Sequence, residues 1–197
     1  MYAPFWEMTL VSTKGRKTAV MTTRVSKELE DVLLKDAEQN GITESSLVNR
    51  ILKKYVEWDR HAVKFRFVLL SADAFRTLLE LMDDKTLTNA AETINFEYLE
   101  ALTLFWFKKI TLDTVLETVN LLGKYSGLFE HELDHVDGSH AITLKHGLGK
   151  KWSSYVGALI SQFIKKELNV LPNIVCTDET AVITFRLGPS GDKGSVG

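Results

Sequence analysis

The apolar pattern changes period once within 19–56. Over 20–25, VMTTRV, β-branched residues dominate, and the two-residue repeat of an extended chain puts Met21, Thr23 and Val25 on one side and Val20, Thr22 and Arg24 on the other. After Ser26 the repeat becomes helical, through Leu29, Val32, Leu33 and Ala37. Ser26 suits the N-cap, with Glu28 near the positive end of the helix, and Gly41 suits the left-handed stop. Thr43 opens a second helix striped with Leu47, Val48, Ile51, Leu52 and Tyr55. A lone strand leaves its backbone groups unpaired, and two helices this short bury too little surface alone. The expectation is that this strand pairs with its own copy in a second chain.

The remaining pattern mixes both periods. A strand is expected over 63–70, VKFRFVLL, and a helix from Ser71 and Asp73 through about Met82. An aromatic-rich helical region follows, then a helix capped by Thr111 and stopped near Gly127. Two alternating runs flank Asp137-Gly138, a type I′ hairpin signal. A long amphipathic helix through Trp152, Val156, Leu159, Ile160 and Phe163 precedes two closing strands, NIVC and AVITFRL, around the turn TDET. This order predicts an α+β ferredoxin-like domain, βα(αα)ββαβ, with an enlarged helical connection and an extra last strand. The domain reading is a flexible basic arm at 1–17, a strand-helix-helix domain at 18–60, an α+β dimerisation or ligand-sensing domain at 62–187 and a disordered tail at 188–197.

Composition adjusts this picture at three points. The chain has 197 residues, 45% of them hydrophobic and 25% charged, an ordinary balance for a chain with a real core. One cysteine, Cys176, excludes an intrachain disulfide and suits a reducing compartment, so a cytoplasmic location is expected. The first residues do not read as a signal peptide, and no window reaches the roughly 20 apolar residues of a membrane helix, so no membrane partner is expected. Net charge is −2, but residues 1–27 carry a net +4 from Lys14, Arg16, Lys17, Arg24 and Lys27 against Glu7. Positive charge therefore gathers where the strand lies, and a dimer doubles the field that draws phosphates.

At these residues the N-terminal third resembles the ribbon-helix-helix (MetJ/Arc/CopG-type) DNA-binding proteins: strand VMTTRVS, helix KELEDVLLKDAEQNG, helix TESSLVNRILKKYV. The resemblance implies a homodimer, or a tetramer built on it, whose paired strands enter the major groove of double-stranded DNA. It makes Thr22 and Arg24 the base readers, with Val20 adding an apolar contact. It assigns phosphate contacts to Thr43, Ser45 and Ser46 at the second helix N-terminus, and to Lys14, Arg16 and Lys17 on the arm. The expected function is sequence-specific transcriptional regulation.

A two-residue hairpin turn also dictates a register. His135 faces His140, Leu133 faces Ile142, His131 faces Leu144 and Phe129 faces His146, so four of the five histidines share one face. Opposed His135 and His140 suit a transition metal, and some ribbon-helix-helix regulators sense nickel on ferredoxin-like domains. Their cluster includes a nearby cysteine, whereas Cys176 lies a helix away, so no ligand set is carried over and no resident cofactor is expected. The commoner situation is a packed, hydrogen-bonded set of histidines. Lys150 and Lys151 after HGLG suggest anion binding but lack the phosphate-loop spacing, and an ordinary connection is expected. Nothing groups Ser, His and Asp as a catalytic site, so no enzyme is expected. Two other readings are a metal-responsive regulator acting through the hairpin histidines, and an antitoxin-like or scaffold protein whose C-terminal domain binds a protein.

Overall fold

The computed structural model describes residues 19–62 and 64–187, in two compact units that divide between Phe67 and Val68. The arm, with Lys14, Arg16 and Lys17, and the tail at 188–197 lie outside the described residues.

The first unit is helical. Helix α1, Lys27–Gln39, starts where the Ser26 hydroxyl accepts the Leu29 N–H at 3.3 Å. It ends in a Schellman turn: the Ile42 N–H reaches the Ala37 carbonyl, the Gly41 N–H reaches Glu38, and Gly41 takes φ +63°. Helix α2, Glu44–Lys54, is capped by Thr43, whose hydroxyl accepts the Ser46 N–H at 3.1 Å. A π-helical turn, Tyr55–Asp59, carries α2 into the short α3, Arg60–Ala62. Trp58 stacks on Phe67 with ring centroids 4.9 Å apart and planes 3° from parallel.

The strand expected over 63–70 does not form among its described residues, which corrects the ferredoxin-like expectation at its first element. The chain turns back on α3 instead. The Lys64 and Phe65 N–H groups bond the His61 carbonyl, and Phe67 bonds Ala62, so donors a ladder needs are already taken. Arg66 sits at φ +53°, outside strand geometry.

The second unit is α+β. Helix α4, Ala72–Leu81, is capped by Ser71; α5, Asp84–Asn89, runs through a π-helical turn, Ala90–Ile94, into α6, Asn95–Phe107. Helix α7, Leu112–Tyr125, begins with a reciprocal capping box between Thr111 and Thr114. Strands β1, Glu130–Val136, and β2, Ser139–Lys145, form the hairpin; α8, Lys150–Leu168, crosses to β3, Asn173–Cys176, and β4, Thr180–Arg186. The four-stranded sheet has the order β1-β2-β4-β3, every neighbour antiparallel. Beside β2, where a ferredoxin-like sheet would hold the first strand, this sheet holds β4.

Alternation along β2 and β4 puts His140, Ile142 and Leu144, with Ala181, Ile183 and Phe185, on the buried face. The expected α8 stripe packs there: Trp152, Val156, Leu159, Ile160 and Phe163 are all buried in the same cluster. Gly157 lets α8 approach closely, since a Cβ there would lie 3.0 Å from Ile174 Cγ2.

Candidate nucleic-acid interface and the histidine hairpin

In the first unit more apolar side chains are exposed than buried, with Leu33, Ile42, Leu47 and Val48 half-buried between these extremes. Among its described residues Ala37, Trp58 and His61 are buried, whereas Met21, Val25, Leu29, Val32, Ile51 and Tyr55 are exposed. Residues 19–26 join no strand ladder in the single chain. Both sides of the expected ribbon are therefore in water, including Met21 and Val25, the side expected to pack on the helices.

Val20, Thr22 and Arg24 are all exposed here, and Arg24 makes no ion pair or hydrogen bond among the described residues. Lys27 is engaged: its ammonium meets Glu30 at 3.0 Å and Asp31 at 3.1 Å, so it belongs to the α1 surface. Ser26 caps α1, and the Glu28 carboxyl is held below its ordinary pKa by its own backbone N–H and the Ser26 hydroxyl. At α2, Thr43 accepts the Ser46 N–H and its hydroxyl donates to Ser46 Oγ at 2.8 Å. Ser45 is exposed beside them, with the unbonded N–H groups that begin any helix.

The hairpin has the register its sequence dictates. Asp137 and Gly138 take φ +50° and +74°, as a type I′ turn requires, and His135 pairs with His140, Leu133 with Ile142 and His131 with Leu144. The ladder ends at Glu130 and Lys145, before the expected Phe129–His146 pair.

Each histidine on that face has a distinct packing role. His135 and His140 meet edge to face with centroids 4.2 Å apart, and buried His140 also stacks on Phe185 at 5.2 Å. Burial and then the neighbouring His135 push the His140 pKa down. His131 lies on α7, where a Cβ on Gly123 would come within 2.3 Å of its Nδ1, and burial lowers its pKa against the opposing charge of Glu117. His146 is drawn to α8: its Nδ1 accepts the Leu148 N–H at 3.3 Å, which assigns the ring proton to Nε2, 2.9 Å from Ser153 Oγ. With the proton there the imidazole donates to Ser153, the wrong direction for a base activating a nucleophile. Burial lowers the His146 pKa as well.

His135 and His140 supply two imidazoles at one point, and no group of three or more His, Cys, Asp and Glu side chains converges among the described residues. Cys176 bonds the Ser153 carbonyl at 3.3 Å and burial raises its pKa, disfavouring the thiolate a metal needs. At the start of α8, Lys151 is committed to the carbonyls of Glu80 and Met82 at the end of α4, and Gly149 caps without a side chain. Lys151 thus neutralises the negative end of α4.

Reading the sequence missed the burial of His61 and the Trp58–Phe67 stack, which depend on the chain doubling back at Arg66. It also missed the contact of His131 with Gly123, which depends on how α7 docks on β1. A glycine within an otherwise helical run, LLGKY, was the available signal.

No protein-family model, no curated protein and no solved structure matches this chain.

Proposed function

We propose that the chain is a homodimeric, sequence-specific DNA-binding regulator of the ribbon-helix-helix kind, with 20–25 as the ribbon. The observation that carries this reading is the first unit itself: two well-capped helices joined by a tight turn, preceded by a stretch that joins no strand ladder, with Leu29, Val32, Ile51, Leu52 and Tyr55 exposed to water. A second copy offers a single remedy for both deficits, pairing the strands and covering Leu29, Val32, Ile51 and Tyr55. In that arrangement Arg24 and Thr22 face outward from the ribbon. Arg24 donates to guanine O6 and N7, Thr22 meets a base edge or a thymine methyl, and Val20 adds an apolar contact. The α2 N-terminus with Thr43, Ser45 and Ser46 takes phosphate, joined by Lys14, Arg16 and Lys17. The second unit serves oligomerisation or sensing.

Selection from a random duplex pool at stated salt, with the purified protein metal-free or with added nickel or zinc, tests this reading. Enrichment of repeated half-sites is the expected result. No enrichment in either condition overturns sequence-specific regulation and turns the search toward a protein partner.

A further inference from the structure

Residues 68–70 are the most anomalous apolar segment in the second unit. Val68 is 86% exposed, Leu69 100% and Leu70 48%, and their backbone groups make no hydrogen bond among the described residues. Among the described residues the same unit also leaves a sheet edge open at β3, where Val175 is 55% exposed. The two edges of this sheet differ. Edge strand β1 carries exposed Glu130, Glu132 and Asp134, charges that deter a further strand. Strand β3 carries no charge, and the acidic pair Asp178 and Glu179 follows it, exposed in the turn.

We propose that 68–70 of one copy adds as a fifth strand, antiparallel, to the β3 edge of a second copy. Within one chain no ladder joins these elements. The register that matches faces sets Val68 against Cys176, Leu69 against Val175 and Leu70 against Ile174. Val68 and Leu70 then extend the buried face, since Ile174 and Cys176 pair with Ile183 and Ala181 of β4. Antiparallel addition also brings Arg66, which has no ion pair among the described residues, toward the turn after β3 that carries Asp178 and Glu179. Charge complementarity thus favours the antiparallel direction, and face matching sets the register. Exchange in both directions closes a two-fold dimer and leaves neither 68–70 segment bare.

Paired cysteines test this in the full chain. With Cys176→Ser removing the native thiol, Leu69→Cys and Val175→Cys sit opposite one another across the new pair, at a Cα separation a disulfide spans, roughly 4.4–6.8 Å. Mild oxidation with diamide is expected to give a cross-linked dimer on a non-reducing gel, and neither cysteine alone gives one. Adding Asp178→Lys lowers the cross-linking rate about twofold to fivefold, the range for an exposed ion pair, and Arg66→Glu in that background restores it. A far-UV spectrum like the parent's shows that each variant folds. Cross-linking that stays within one chain, or none in a folded protein, overturns the proposal. The readout uses no DNA, and a ribbon dimer without strand exchange gives monomer bands only, so this inference and the regulatory reading fail separately.

Discussion

Gly123→Ala puts a methyl group where the His131 ring lies: its Cβ would stand 2.3 Å from Nδ1, 3.0 Å from Cγ and 3.1 Å from Phe129 Cε2. Cγ is the first ring atom, so relief requires turning the whole side chain about χ1 or moving β1 off α7. Overpacking of this kind costs about 1–3 kcal/mol. Replacing an interior helix glycine by alanine returns about 0.8–1.0 kcal/mol. The single variant should therefore lose about 1 kcal/mol. In a His131→Ala background the ring is gone and only Phe129 still has to give by a few tenths of an ångström, so the same substitution should gain up to about 1 kcal/mol. The helix term and the Phe129 contact are common to both and cancel in the cycle, leaving a coupling of about 1–3 kcal/mol that is the overpacking against His131. Urea unfolding of the four proteins, followed by far-UV circular dichroism with the m-value checked for constancy, measures it. A coupling below about 0.5 kcal/mol, the noise of independent sites, would refute the docking of His131 on α7.

Arg24→Ala should keep the dimer by sedimentation yet lose about 1–3 kcal/mol of discrimination between operator and random duplex; an unchanged specificity ratio would remove Arg24 from base readout. Gly41→Ala forces a Cβ into φ +63°, which costs about 1–2 kcal/mol although nothing crowds the site, and thermal unfolding should show the loss. Burial lowers the pKa of His61, His131, His140 and His146 in the folded chain, so unfolding takes up protons. Their stabilising effect is complete above the unfolded value near 6.5 and is lost as pH falls from there through the lowered folded values. Denaturation midpoints measured from pH 8 to 5 should fall, and His140→Gln should flatten the decline; an equally steep decline would contradict the His140 environment.

Local chemistry made much of this fold legible. Ser26, Gly41, Thr43 and Thr111 each act within four residues of their own position, so caps and stops follow from the chain alone. The hairpin register follows from one dipeptide, because two positive φ values at Asp137 and Gly138 leave a single pairing. Failure came where a distant partner decides. Residues 63–70 have strand composition, but among the described residues no edge within the chain receives them, and nearer carbonyls at His61 and Ala62 win. Likewise nothing local states that β4 and not the first strand lies beside β2. The four-histidine face was readable, whereas the three different neighbours, Gly123, Phe185 and Ser153, that divide those histidines among α7, β4 and α8 were not.

The π-helical turn at Tyr55–Asp59 acts as a phase shifter. In an unbroken α-helix, at about 100° per residue, Trp58 would continue the line of Ile51 and Tyr55 and one side would hold all three. The wider turn swings Trp58 off that line, so it closes on Phe67 while Ile51 and Tyr55 stay open. One helical rod thereby presents two sides: an inward side completed within the chain by Phe67, and an outward side through Ile51 and Tyr55 that the single chain leaves in water.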